Sequence, residues 1–67
     1  MIREGDYILI VDEHDNKYLQ IGEVVGIEYF AYSSDVRRYL VRFSDASIIE
    51  YTYELKSSSK ILMFERN

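Results

Sequence analysis

Apolar and polar residues alternate along much of this chain with a period of two, and short polar clusters or glycines break the alternation at close intervals. Period two is the repeat of a β-strand, whose successive side chains point to opposite faces. The first such segment spans Asp6 to Val11. Its unbroken apolar run, Tyr7 to Val11, leaves the inward face undecided by periodicity alone. Six polar residues, Asp12 to Lys17, then predict a solvated loop. A second strand is expected from about Leu19 to Phe30, with Gly22 and Gly26 inside it marking a bulge or tight bend. Ala31 to Val36, carrying Ser33-Ser34-Asp35, reads as a hairpin loop. The third strand, Arg37 to Phe43, sets Tyr39, Val41 and Phe43 on one face and Arg38, Leu40 and Arg42 on the other. Ser44 to Ser47 forms a tight turn, since Asp and Ser side chains bond their own backbone.

A fourth strand, Ile48 to Tyr53, opposes Ile49, Tyr51 and Tyr53 to Ile48, Glu50 and Thr52. Glu54-Leu55 begins a short helical turn, residues 56–59 connect, and Lys60 to Glu65 makes a last strand. No window carries a sustained helical stripe, and the Ile, Tyr and Thr of residues 48–56 favour a strand. The pattern therefore predicts an all-β chain, a five-stranded antiparallel barrel with a short helical turn before the last strand. Sixty-seven residues make a single domain, 1–67.

Size makes packing the central difficulty. A chain this short buries only about 60% of its unfolded surface. It has no cysteine, hence neither disulfide nor thiolate metal site, and a single histidine. Seven Tyr and three Phe are left to supply the buried area. The net charge of -4 and a pI near 4.8 disfavour nucleic acid as a partner. The amino terminus lacks a signal-peptide apolar core, and no apolar run approaches the roughly 20 residues of a membrane span. A cytoplasmic protein with no membrane partner is expected.

Gly5-Asp6-x-Ile8-x-Ile10, Gly22-x-Val24-x-x-Ile27, Tyr39-x-Val41-x-Phe43 and Glu54-Leu55 together resemble the SH3-like small barrels. These include KOW-type domains and single-domain proteins similar to the E subunit of photosystem I. The resemblance spans nearly the whole chain and implies that Ile8, Ile10, Val24, Ile27, Val41, Phe43 and Leu55 point inward. Tyr7, Leu9 and Val11 would then line the outer side of the first strand, either covered by a terminal strand or loop or open to a partner.

Little catalytic chemistry is visible. His14 sits within Asp12-Glu13-His14-Asp15, where consecutive loop residues rarely converge on one point. The acidic loop lacks the spacing of a calcium site. Ser57-Ser58-Ser59 has no base nearby, and there is no glycine-rich phosphate loop. No enzymatic activity, cofactor or metal is expected. Arg37, Arg38 and Arg42 form the one basic cluster, with Tyr29, Tyr32 and Tyr39 close in the chain. Tyr and Arg dominate interface hot spots, so Tyr29, Tyr32, Arg37, Arg38 and Tyr39 are the expected partner-binding residues. The plainer alternative is a solvated strand face ion-paired with Glu28 or Glu50.

The expected function is thus that of a non-enzymatic interaction or accessory module with a protein partner. Two other readings stand beside it. A KOW-like nucleic-acid module would place phosphates and bases on the Arg/Tyr face. An acidic inhibitor from a phage or mobile element would work through Asp12, Glu13 and Asp15.

Overall fold

The computed structural model describes residues 2–52 and the backbone of residues 61–64. Four strands, β1 (Tyr7–Ile10), β2 (Ile21–Tyr29), β3 (Val36–Arg42) and β4 (Ile48–Thr52), form an antiparallel meander in the order β4-β3-β2-β1. Beyond β1, the backbone of β5 (Ile61–Phe64) runs antiparallel to it, with Ile8 opposite Met63. No helix occurs among the described residues.

The expected closure into a barrel is not found. Among the described residues β4 pairs with β3 alone, and no ladder joins it to the far side of the sheet. Closure requires a hydrogen-bonded seam between the first and last strands of the order, and the register supplies none. The expected helical turn at Glu54-Leu55, the inward Leu55, Tyr53 and the connector 56–59 lie outside the described residues.

Alternation decides which side chains meet. Ile8 lies opposite Gly22, Val24 opposite Val41, Val41 opposite Ile49, and Tyr39 opposite both Ile27 and Tyr51. These residues share one face. Ile8, Ile10, Val24, Tyr39, Val41, Phe43 and Tyr51 are buried there, joined by Ile2, with Ile27, Val36 and Ile49 packed against them. Each fully buried aliphatic side chain contributes about 1.5–3 kcal/mol relative to exposure. The ambiguous run of β1 is thereby settled, with Ile8 and Ile10 inside, Tyr7 exposed and Leu9 half-buried.

β2 keeps its face only because it is irregular. Its register slips between Val24 and Gly26 and again between Glu28 and Tyr29. The first slip moves the inward positions from Gly22 and Val24 to Ile27. Without the extra residue, Ile27 would point outward and Gly26 inward. Gly22 itself must stay bare, because a Cβ there would strike Val41 Cγ1 and sit 2.9 Å from Phe43 Cε1.

Ile2 reaches the core through a turn that the sequence pattern does not reveal. Asp6 N–H donates to Arg3 O at 3.1 Å, and Arg3 N–H donates to the Asp6 carboxylate at 2.8 Å. Gly5, at φ 93°, allows the reversal. Gly5 N–H to Val24 O and Val24 N–H to Asp6 O, both 2.8 Å, then fasten the turn to β2.

Candidate partner-binding surface

The five residues expected to bind a partner do not form one surface. Tyr39 alternates with Arg38 along β3, so the two point to opposite faces. Tyr39 is 3% exposed and belongs to the core. Its removal from the surface is a correction, and its cause is the same alternation that buries Val41.

Arg38 stands on the outer face, where it is already occupied. Its guanidinium lies 3.0 Å from Glu28 of β2 and 2.8 Å from Glu50 of β4. The hydrogen bonds it donates to Glu28 and Glu50, in that order, raise its pKa above the ordinary value. Arg42 likewise meets Glu23 at 3.2 Å. These contacts match the plainer alternative, cross-strand ion pairing of a solvated face. The outer rows therefore read Glu23–Arg42–Ile48, Gly26–Leu40–Glu50 and Glu28–Arg38–Thr52.

Tyr29, Tyr32 and Arg37 remain exposed, and Phe30, which the sequence reading passed over, joins them. All four sit at the end of the β2–β3 hairpin. Phe30 N–H donates to Asp35 O at 3.1 Å, Ser33 N–H to Phe30 O at 3.2 Å, and Asp35 N–H to Ser33 Oγ at 2.9 Å. The loop is thus tied to itself, while the rings of Tyr29, Phe30 and Tyr32 are more than half exposed. Arg37 falls at the second register slip, between Val36 opposite Tyr29 and Arg38 opposite Glu28. Among the described residues it makes no ion pair.

The acidic loop serves a different purpose. Asp12 Oδ1 accepts from His14 N–H at 3.0 Å, and Asp15 Oδ1 accepts from Lys17 N–H at 2.8 Å. Both are turn-forming carboxylates. Asp15 also accepts from the Tyr51 hydroxyl at 3.4 Å, tying the loop to the core. Burial, then the Asp15 charge, pushes the Tyr51 phenol well above its usual range. Lys17, only 14% exposed at its side chain, lays its ammonium 5.2 Å from the Phe43 ring centroid and 2.8 Å from Asp45. That ammonium and Ser47 hold the Asp45 carboxyl well below the ordinary carboxylate range. Nothing in the sequence marks Lys17 as a cover for the core; a long apolar stem under a charged head is what suits it.

His14 is exposed, 3.8 Å from Glu13. Among the described residues no three His, Cys, Asp or Glu side chains are grouped to hold a metal ion. No described helix is long and apolar enough to cross a membrane. A second apolar group, Tyr7, Tyr18, Leu19 and Ile21, is exposed near β1, with Ile21 directly opposite Leu9. No family model, curated protein or solved structure matches the chain.

Proposed function

We propose that this protein is a non-enzymatic interaction module that engages a protein partner through the end of its β2–β3 hairpin. One observation carries the reading: Tyr29, Phe30 and Tyr32, three large rings within four residues, are each more than half exposed on a hydrogen-bonded loop. Aromatic residues are enriched at protein interfaces and in their energetic centres. Loops held by a rigid scaffold are where binding residues concentrate. A cytoplasmic setting belongs to the same reading.

The nucleic-acid alternative is weaker because Arg38 and Arg42 are engaged by carboxylates. The acidic-inhibitor alternative is weaker because Asp12 and Asp15 cap their own loop. The test is affinity isolation from the native cell with wild type and with Tyr29→Ser/Phe30→Ser/Tyr32→Ser. The reading expects a protein retained by wild type and lost with the triple variant, whose fold is checked by circular dichroism. Identical retained proteins from both would remove the hairpin end as the binding surface.

A further inference from the structure

Resting on that reading, we infer that Tyr32 is the anchor of the interface and that its counterpart is an apolar protein cleft with a carboxylate at its rim, met by Arg37. Two independent observations lead there. The first is conformational. Tyr32 has φ 57°, the left-handed region, and is 108% exposed relative to a free residue. A bulky residue in that region is an outlier, since its Cβ crowds the backbone, whereas Asn or Gly sits there with little strain. Leu19 and Ala46 share the conformation, but their own N–H groups are bonded to Ile10 O and Phe43 O. Tyr32 has strain and full exposure together, and among the described residues nothing uses its ring. Strain of this kind concentrates at binding sites. A rigid aromatic ring held away from the protein fits a concave partner surface.

The second observation is the contrast between neighbouring arginines. Arg38 is engaged by both Glu28 and Glu50, whereas Arg37, at the register slip, is exposed and makes no ion pair among the described residues. Bulges re-aim side chains off the ladder, and a guanidinium pairs well with a carboxylate. Asp35 lies two residues away with the opposite charge, so the hairpin end is close to neutral overall. The preference for a carboxylate is therefore local to Arg37, and it fits a protein cleft better than a polyanion.

The experiment replaces Tyr32, and as control Ile48 on the outer sheet face, with the photo-crosslinker p-benzoylphenylalanine in the full chain within its native cell. The partner captured at position 32 is identified and purified. Its affinity is then measured for wild type, Tyr32→Asn, Arg37→Gln and Arg37→Lys at two salt concentrations. Expected are capture at 32 and not at 48, at least a tenfold loss of affinity for Tyr32→Asn with a rise of a few degrees in its melting temperature, and about a tenfold loss for Arg37→Gln that Arg37→Lys partly recovers and salt diminishes. Capture at 32 with affinity indifferent to Arg37→Gln and to salt would overturn the carboxylate-rimmed cleft while leaving the hairpin end as the interface. A Tyr32→Asn variant that binds as well as wild type would overturn the anchor. No capture at 32 would overturn both the anchor and the proposed surface.

Discussion

Adding one methyl group at Gly22 tests how the inner face is packed. Gly22 lies in β2 with no positive φ, so its backbone accepts alanine. Reduced unfolded-state entropy alone would then make Gly22→Ala stabilising by about 0.4–1 kcal/mol. Packing reverses the sign. The new Cβ would overlap Val41 Cγ1 and come within 2.9 Å of Phe43 Cε1, and these neighbours are 0% and 3% exposed. Neither has free space to move into. Overpacking of this kind costs about 1–3 kcal/mol. A domain of this size has only about 3–10 kcal/mol of total stability, and about 4–8 °C of melting temperature is lost per kcal/mol.

Urea unfolding followed by circular dichroism should therefore show Gly22→Ala losing a large part of the stability. Gly26→Ala is the control. Its Cβ would meet the end of the half-exposed Leu40 side chain at 3.0 Å, which can turn aside, so the change should stay within about 0.5 kcal/mol of wild type. Combining Gly22→Ala with Val41→Ala removes the offending methyl, and the pair should be less destabilised than the sum by about 0.5–3 kcal/mol. A Gly22→Ala protein as stable as wild type, or strict additivity in the double variant, would refute the inner-face packing of β2 on β3.

Three further outcomes follow from the electrostatics. Tyr51 has its phenol pKa raised in the folded protein, so its contribution to stability is complete below the ordinary value of 10.0 and is lost as pH rises beyond it; melting curves from pH 8 to 11.5 should fall less steeply for Tyr51→Phe than for wild type. Asp45 has its carboxyl pKa depressed, so its contribution is present above the ordinary value of 3.8 and fades as pH drops below it; Asp45→Asn should flatten the acid limb of the stability profile, and a limb unchanged from wild type would contradict the Lys17–Asp45 contact. Arg38→Gln leaves Glu28 and Glu50 without their shared cation, and at this partly exposed site denaturation should register only a small loss, which added salt reduces.

Strand positions were legible because period-two alternation and polar breaks are local signals. β1 to β4 fall within two residues of their expected ends. The inward faces of β3 and β4 were legible for the same reason, and Tyr39 illustrates the conflict that can follow. Alternation placed it with Val41 and Phe43, while its residue type and arginine neighbours suggested a surface, and alternation won. Closure was not legible, because a seam between distant strands leaves no mark on either strand alone. Ile2 was missed because it enters the core through the Arg3–Asp6 turn and not along a strand. The parity change in β2 was visible only as two glycines, and the register shows that the slip lies between Val24 and Gly26. At the hairpin end, the exposed Tyr29, Tyr32 and Arg37 were anticipated. The pairing of the outer arginine face with Glu28 or Glu50 was legible as the plainer alternative, and the register decides it by bringing those carboxylates to Arg38 and not to Arg37.

The account turns on which aromatic rings face solvent, and brief iodination of the native chain with peptide mapping of the tyrosines measures that directly. Tyr32 should react first, Tyr29, Tyr18 and Tyr7 more slowly, and Tyr39 and Tyr51 only when the protein unfolds. Rapid labelling of Tyr39 in the folded protein, or protection of Tyr32 in the isolated chain, would contradict it.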